Sequence, residues 1–272
     1  MCNTQNKAGK RNKISDKYTL ITGASSGIGT SFAKAYAEKK HPLILVARST
    51  NELEKISKKL HADYSIPVYV ISQDLSLENS AEMLFDECKR QKLEINLLIN
   101  NAGVGMIGAF EDQDIKRVQD MLTLNILTLT KLTHLFLPEL KKNRGSIINV
   151  SSLAAFQPMP YWAAYAASKA YVLLFSEALH AEVEKNGIHV MALCPGITKT
   201  QFLKTANPNV ALSHSKAQTP DQVVFEAIQS LENKKTFIVP GRMNQLTSLL
   251  GRFLTRSFVL NLSRRVMEKR YS

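Results

Sequence analysis

Short apolar segments alternate along this chain with longer amphipathic ones, and the alternation limits the possible folds more than any other feature. The short segments are apolar without interruption, which is typical of strands buried on both faces. Strands that alternate with helices pair in parallel, with helices covering the sheet. We therefore expect an α/β fold with a doubly wound parallel sheet of about seven strands and helices on both faces. The predicted strands are residues 17–23, 42–47, 67–72, 95–100, 146–151, 188–194 and 236–239.

The helices are predicted between these strands, and two of them begin with a capping-box pattern. The predicted helices cover 27–39, 49–61, 77–91, 113–140, a segment around Tyr165 that ends near 185, and a segment that opens at 219. In a capping box the first and fourth residues bond to each other's backbone N–H groups. Ser49 with Glu52 fits this pattern, and so does Thr219 with Gln222, where Pro220 occupies the first helical position.

We expect a single domain over residues 17–240. The 272 residues are 44% hydrophobic, and no internal linker, repeat or low-complexity stretch divides them. Residues 1–16 are predicted to be a disordered basic tail, and residues 241–272 a basic amphipathic helical extension. No segment approaches the ~18 consecutive apolar residues of a membrane-spanning helix, and the basic N-terminus lacks the apolar run of a secretory signal.

The cysteines and histidines indicate neither disulfides nor a metal site. The three cysteines, Cys2, Cys88 and Cys194, are odd in number and lack metal-type spacing. This usage fits a reducing compartment, so we expect a cytoplasmic location. The six histidines are scattered singly, and we expect none of them to bind a metal.

The net charge of +12 is concentrated at the two ends. Because a nucleic-acid groove needs basic residues arranged across the fold, we expect no nucleic-acid partner. Within 241–272, apolar residues at helical spacing stand between arginines. Such a helix can lie on an anionic membrane surface, giving peripheral membrane contact. It can equally close a pocket or pack at a subunit interface, which is the alternative that we favour. The apolar residues are Leu246, Leu249, Leu250, Phe253 and Leu254.

Tyr165 and Lys169 stand four residues apart, so a helix places both side chains on one face. A free phenol titrates near pKa ~10, and an adjacent ammonium favours the phenolate. Ser152 at the end of a predicted strand and Asn125 further upstream accompany this pair. A second Tyr-x-x-x-Lys, which begins at Tyr36, lacks such companions, and we interpret it as an ordinary helix surface.

Residues 22–29, TGASSGIG, lie between the first predicted strand and the first predicted helix. Glycines at this place permit a tight turn and close approach of the backbone to a diphosphate. The helix N-terminus attracts the diphosphate through free N–H groups and through its dipole.

The spacing TGxxxGxG resembles the short-chain dehydrogenase/reductase family, whose fold is of the Rossmann type. The similarity extends over about 17–240. It includes NNAG at 100–103, the set Asn125, Ser152, Tyr165 and Lys169, and PGITKT at 195–200.

The resemblance implies roles for the individual residues. Ser152 and Tyr165 would bond the substrate oxygen, and Tyr165 would deliver the proton. Lys169 would lower the tyrosine pKa and bond the nicotinamide ribose, while Asn125 would hold a water that resupplies protons. Outside the second-strand end, the expected cofactor-binding residues are Gly23, Ser25, Ser26, Gly27, Ile28, Gly29, Asp74, Leu75, Asn101, Ala102, Gly103, Tyr165, Lys169, Pro195, Gly196, Thr198 and Thr200.

The end of the second predicted strand decides the choice of cofactor. Folds that prefer the unphosphorylated dinucleotide carry an acidic residue there. This chain has Arg48 and Ser49 instead, and a guanidinium can bond a 2′-phosphate with two N–H groups. We therefore predict NADP(H). Asp74 resembles the residue that bonds adenine, although an N-cap role for the next helix is nearly as well supported.

The sequence therefore predicts an NADPH-dependent oxidoreductase that reduces a ketone or aldehyde to an alcohol. Bulky apolar residues that follow Ser152 and Thr200 favour a hydrophobic carbonyl substrate, with no obvious arginine to hold a carboxylate. A 3-ketoacyl-thioester reductase and a non-catalytic, membrane-associated NADPH-binding protein are the alternatives. By resemblance, we also expect a homodimer or homotetramer. The apolar residues expected beside the nicotinamide are Leu153, Phe156, Met159, Tyr161, Trp162, Phe202 and Leu203.

Overall fold

Seven parallel strands form one sheet at the centre of the protein. The computed structural model describes residues 17–206 and 217–271, so the prediction for the tail at 1–16 lies outside the described residues. The strand order is β3-β2-β1-β4-β5-β6-β7, which confirms the predicted doubly wound sheet. The strands are β1 (Tyr18–Thr22), β2 (Leu43–Ala47), β3 (Val68–Ser72), β4 (Ile95–Asn100), β5 (Ser146–Val150), β6 (His189–Leu193) and β7 (Phe237–Ile238).

Helices cover both faces of this sheet. The helices are α1 (Gly27–Glu38), α2 (Thr50–Tyr64), α3 (Ser80–Arg90), α4 (Ile115–Leu122), α5 (Leu129–Asn143), α6 (Ala163–Val183), α7 (Phe202–Ala206), α8 (Pro220–Glu232), α9 (Arg242–Phe253) and α10 (Arg256–Tyr271). The helix predicted over 113–140 is present as a continuous helical segment over 115–143, but it is not α-helical throughout. A π-helical turn at Thr123–Thr128 joins α4 to α5, and its position around Asn125 bears on the site described below.

The strands are apolar without interruption because successive side chains point to opposite faces of the sheet and both faces are covered. Leu20 and Leu98 belong to the core on one face, together with Phe136 of α5. Their neighbours Ile21 and Ile99 belong to the core on the other face, together with Phe32 of α1. Period-2 alternation is therefore absent from a sheet that has no solvent-facing side.

The chain reverses its direction of travel across the sheet at β1, which pairs with β2 on one side and with β4 on the other. The connections that leave these strands diverge to opposite faces, and a crevice opens between them at the carboxyl ends. In parallel sheets of this kind, ligands bind in that crevice.

The C-terminal extension forms two helices, α9 and α10, separated at 254–255. The predicted helical pattern over 246–254 corresponds to α9 and the turn after it. None of the helices in residues 17–206 and 217–271 is both long and apolar enough to cross a bilayer.

The two capping-box predictions had opposite outcomes. Thr219 accepts a hydrogen bond from the Gln222 N–H at 3.2 Å, and the Gln222 side chain accepts one from the Thr219 N–H at 2.9 Å. Ser49 stands at the N-cap of α2, but its side chain makes no capping hydrogen bond.

We expect Thr219→Ala to lower the free energy of unfolding by about 1 kcal/mol, because it removes a cap whose hydrogen bonds are formed. The matched variant Ser49→Ala should change it by less than about 0.5 kcal/mol, since no capping bond is lost. Urea unfolding of the ligand-free variants measures both values. A larger loss for Ser49→Ala than for Thr219→Ala would contradict this account.

Candidate active site

A deep cleft of about 1070 Å³ occupies the crevice at the carboxyl ends of the strands. Residues that follow β1 to β6 form its floor, and α9 and α10 contribute to its wall. Ligand pockets commonly measure ~300–1,000 Å³, so this cleft has room for a large cofactor together with a second molecule.

The loop between β1 and α1 provides a turn suited to a diphosphate. Gly23 and Gly27 have φ values of 65° and 55°, a backbone region that other residues adopt only with strain. At Gly29 a Cβ atom would lie 2.2 Å from the Gly23 carbonyl oxygen. The N-cap Ser26 forms no side-chain capping bond, which leaves the first N–H groups of α1 without a side-chain partner at this cap. Ser25, Ser26, Gly27 and Ile28 all line the cleft.

Asn101 fastens this loop to the end of β4. Its side-chain Nδ2 donates to the carbonyl oxygens of Thr22 at 2.9 Å and Gly23 at 3.1 Å. Its backbone N–H donates to the Thr22 hydroxyl at 3.0 Å. Ala102 and Gly103 follow along the floor of the cleft. In this structure, Asn101 therefore holds the shape of the glycine loop.

Arg48 and Asp74 face each other across the ends of β2 and β3. The Arg48 Nη1 atom lies 3.7 Å from Asp74 Oδ2, and both residues line the cleft beside Ser49 and Leu75. Partial burial raises the pKa of Asp74, but hydrogen bonds from Ser76 and the charge of Arg48 outweigh it and lower that pKa. The alternative N-cap role for Asp74 was wrong, because α3 begins at Ser80.

Tyr165 and Lys169 are buried on one face of α6, at the end of β5. The Lys169 Nζ atom donates to the Val150 carbonyl oxygen at 2.9 Å and lies 5.9 Å from the centre of the Tyr165 ring. Ser152 follows β5, and its hydroxyl accepts from the Ala154 N–H at 3.1 Å. All three side chains line the same cleft.

Burial dominates the ionisation of both α6 residues. It raises the pKa of Tyr165 to about 12, although a hydrogen bond from Ser152 acts in the opposite direction. It lowers the pKa of Lys169 to about 8. The expectation of a lowered tyrosine pKa is therefore wrong for the protein by itself. Each group is moved out of water and favours its neutral form.

Asn125, in the π-helical turn, is fully buried behind the site and does not line the cleft. Its Oδ1 accepts from the Val104 N–H at 3.1 Å, and its Nδ2 donates to the Val104 carbonyl at 3.0 Å and to the Ser168 hydroxyl at 3.2 Å. A Cβ at Gly103 would lie 3.0 Å from Asn125 Oδ1 and 3.2 Å from Lys169 Nζ. The amide oxygen and the ammonium therefore adjoin the same backbone position, and a π-turn is a common device at functional sites.

The segment 195–200 crosses over the glycine loop. A Cβ at Gly27 would lie 2.8 Å from Thr200 Cγ2, which places Thr200 directly against the loop. Thr198 donates to the Gly196 carbonyl at 3.0 Å. Pro195 and these residues all line the cleft.

Tyr36, in the second Tyr-x-x-x-Lys, does not lie on a helix surface as expected. It is buried against the core and stacks on Phe32 with ring centroids 6.4 Å apart. Lys40 lies beyond the end of α1 and donates to the Tyr64 carbonyl at 2.8 Å. This pair is structural.

The outer part of the cleft is apolar, as expected, but some of its residues differ from the prediction. Phe156 packs against Phe237 with ring centroids 6.2 Å apart, and neither Phe156 nor Tyr161 is among the residues that line the cleft. The predicted residues that do line it are Leu153, Met159, Trp162, Phe202 and Leu203.

Sequence reasoning missed several wall residues, including an arginine. Arg117 of α4 lines the cleft, against the expectation that no arginine lies there. The spacing of Val259, Ser263 and Met267 by four is the signal that could have revealed the buried face of α10. Further wall residues that were missed are Met106, Met121, Asn244, Thr247, Leu262 and Val266.

A glycine loop at a helix N-terminus, joined by one cleft to a buried tyrosine and lysine, defines a class of nucleotide-binding oxidoreductases. The short chain dehydrogenase family model matches residues 17–211. The chain therefore belongs to the short-chain dehydrogenase family.

Relatives and solved structures agree with this assignment. The very-long-chain 3-oxoacyl-CoA reductase of Anas platyrhynchos is 32% identical over 218 residues, covering 78% of this chain and 67% of that protein. A short-chain dehydrogenase from Sphingobium yanoikuyae in complex with NADPH is 29% identical, with a TM-score of 0.78 over 93% of this chain and 95% of that one. The bulky-bulky ketone specific alcohol dehydrogenase from Comamonas testosteroni is 28% identical, with a TM-score of 0.74 and coverage of 93% and 94%.

Proposed function

We propose that this protein is an NADP(H)-dependent oxidoreductase that reduces a hydrophobic ketone or aldehyde to an alcohol. One observation carries the proposal: a single cleft joins the glycine loop, the Tyr165–Lys169 pair and an apolar outer chamber. A dinucleotide along the floor would bring its reactive ring between the tyrosine and that chamber.

The residues present fit such a cofactor. The free N–H groups of α1 and the positive φ angles of Gly23 and Gly27 suit the diphosphate. Arg48 and Ser49 are exposed at the end of β2 and would receive a 2′-phosphate, with Asp74 holding the guanidinium at that edge. When bound, the cofactor supplies a hydride to the carbonyl carbon or removes one from the alcohol.

Tyr165 would act as the proton donor to the carbonyl oxygen. Its pKa of about 12 keeps the phenol protonated at neutral pH, which is the form that can donate a proton. The Ser152 hydroxyl, beside it in the cleft, would donate a second hydrogen bond to the same oxygen and stabilise its developing charge.

Lys169 would support this proton transfer and hold the cofactor ribose. Its ammonium already bonds the Val150 carbonyl, which leaves two N–H groups for other partners. Asn125 Oδ1 adjoins it across Gly103 and retains acceptor capacity for a water on the route by which protons return.

The apolar outer chamber supports a hydrophobic substrate. Met106, Met121, Trp162 and Leu203 belong to one cluster around Tyr165. The structurally similar dehydrogenase that is specific for bulky ketones supports the same substrate class.

A 3-ketoacyl-thioester reductase is the second candidate. Arg117 at the cleft offers a charged contact for the phosphate groups of a thioester carrier. The similarity to a very-long-chain 3-oxoacyl-CoA reductase also supports it. Both candidates use the same proton donor and differ only in what occupies the outer cleft.

We further propose that the protein forms a homo-oligomer. Leu127 in the π-turn and Leu174 on α6 are large apolar residues that remain exposed on one copy, and a second copy would cover them. Tyr171, also on α6, bonds the Thr130 hydroxyl on α5 at 3.1 Å, so α5 and α6 would form one surface.

Oxidation of NADPH in the presence of bulky ketones, aldehydes and acetoacetyl thioesters tests the reaction. We expect turnover with at least one class and a loss of about 10²–10⁴ in kcat for Tyr165→Phe, because the proton donor is removed. Dinucleotide binding, followed by fluorescence titration, should be retained. Turnover close to wild type in this variant would exclude Tyr165 as the donor.

Arg48→Asp should reverse the choice of cofactor. We expect at least about a tenfold loss in affinity for NADPH relative to NADH, since a charge-assisted hydrogen bond is replaced by repulsion. Lys59→Asp, on the exposed face of α2, makes the same change in net charge and should leave the ratio unaltered. An unchanged ratio in Arg48→Asp would refute the NADP(H) assignment.

The lowered pKa of Lys169 predicts a pH dependence. Below a pH of about 8 the ammonium is charged and attracts the anionic dinucleotide, and above it the charge is lost. The kcat/KM for NADPH, which reports ionisations of the free enzyme, should therefore fall as the pH rises through about 8. Lys169→Arg should be less active and lack this decline, because its guanidinium stays charged. A flat wild-type profile across the neutral and mildly alkaline range would contradict the assignment.

A further inference from the structure

The outer face of α9 carries large apolar residues that nothing in the described chain covers. Met243, Leu246, Leu249 and Phe253 follow helical spacing and share one face. Leu246 is 61% exposed and Phe253 is 81% exposed. The opposite face of α9 packs inward, with Ser248 buried and Gly251 close to the Phe156 carbonyl. Helix α9 is therefore held to the protein by its small and polar residues.

A second exposed stripe continues along α10. Phe258, Leu262 and Val266 are spaced by four, and Phe258 is 54% exposed. Val259 and Met267 are buried on the other side of the helix. We call the exposed residues of both helices and their connection the C-terminal apolar surface: Met243, Leu246, Leu249, Phe253, Leu254, Phe258, Leu262 and Val266.

Exposed arginines lie on the same two helices as this surface and at their connection. The described side chains of 241–268 include Arg242, Arg252, Arg256, Arg264 and Arg265, all exposed. Glu268 is the only acidic residue in that range and lies 3.9 Å from Arg264. The solvent-exposed face of a soluble helix normally carries both positive and negative side chains. The exposed faces of α9 and α10 instead carry large apolar side chains and, over most of their length, only positive charges.

The C-terminal apolar surface also meets the mouth of the cleft. Leu262 and Val266 belong to the exposed stripe and line the cleft as well, as does the neighbouring Leu250 of α9. The apolar path from the chamber beside Tyr165 therefore continues to the outside of the protein.

We propose that the C-terminal apolar surface docks on an anionic membrane, with its apolar side chains in the interface and its arginines on acidic lipid headgroups. Contiguous exposed apolar patches mark interaction sites, and the exposed arginines of the same helices favour a negatively charged partner. Near an anionic bilayer, basic residues are attracted by the negative surface potential, and a helix with apolar and basic residues lies flat in the interface.

Docking in this orientation turns the mouth of the cleft towards the bilayer. A carbonyl compound dissolved in the membrane could then enter the apolar chamber without crossing water. This delivery rests on the proposed function, whereas the docking does not.

Sedimentation with lipid vesicles tests the docking. We expect the full chain to bind vesicles of phosphatidylcholine that contain phosphatidylserine, to bind phosphatidylcholine alone more weakly, and to dissociate as salt is raised. Leu246→Ser/Phe253→Ser should weaken binding at least about tenfold, because two exposed apolar side chains are lost from the interface. Both residues lie outside the cleft lining, so NADPH turnover in solution should be unchanged.

Matched variants separate this surface from the remainder of the chain. Met83→Ser/Phe225→Ser removes two similarly exposed apolar residues from α3 and α8 and should bind like wild type. Arg252→Gln/Arg256→Gln should weaken binding to anionic vesicles, while Lys58→Gln/Lys59→Gln on α2 should not. The basic residues before position 17 are present in every variant, so differences between variants do not arise from them.

Three results would overturn the proposal. One is absence of vesicle binding by the full chain, and another is equal binding by the Leu246/Phe253 double variant and its control. The third is a drop in oligomeric mass of that double variant in analytical ultracentrifugation without loss of vesicle binding, which would show that a second copy covers the surface. Tyr165→Phe should still bind vesicles, so failure of the proposed reaction and failure of docking are distinguishable.

Discussion

The hydrogen bond from the Lys169 ammonium to the Val150 carbonyl determines where the site is built. A buried ammonium is costly unless it finds acceptors, and this bond ties α6 to the end of β5 at 2.9 Å. Tyr165, one turn earlier on α6, is thereby brought to the carboxyl edge of the sheet. The Ser151 hydroxyl supports the same junction by donating to the Lys169 carbonyl at 2.6 Å. The same lysine side chain therefore contributes both to the position of the helix and to the chemistry of the site.

Most of the fold could be predicted from the sequence because its main signal is local. Uninterrupted apolar strands and intervening helices are visible without a structure, and all seven strands were found. The π-helical turn between α4 and α5 was not predicted, since its Asn125 side chain bonds to Val104, a contact distant in sequence. The Ser49 cap failed for a similar reason. Ser49 and Glu52 are residue types that can form a capping box, but the Ser49 side chain makes no capping hydrogen bond in the folded protein.

The sequence predicted the residues of the candidate site more fully than it predicted their pKa values. Motif spacing indicated the glycine loop, Tyr165 and Lys169, and the structure places them along one cleft. The direction of the Tyr165 pKa was wrong because it depends on burial by residues from several elements. The pairing of Arg48 with Asp74 joins two strand ends that lie adjacent only in the sheet. Closing a pocket was one of the two roles favoured for the C-terminal extension, but the individual wall residues of α10 were missed because they lie about a hundred positions beyond Tyr165 in the chain.

Helices α9 and α10 form part of the cleft wall without contributing a strand to the sheet. Asn244 of α9 contacts Gly196. The two helices pack on the outside of the domain, with Val259 and Met267 of α10 buried. Changes in this segment can therefore alter the width and polarity of the chamber while strand pairing stays intact. Substitutions in α9 and α10 alone could therefore change substrate specificity in proteins with this fold, while Ser152, Tyr165 and Lys169 stay unaltered.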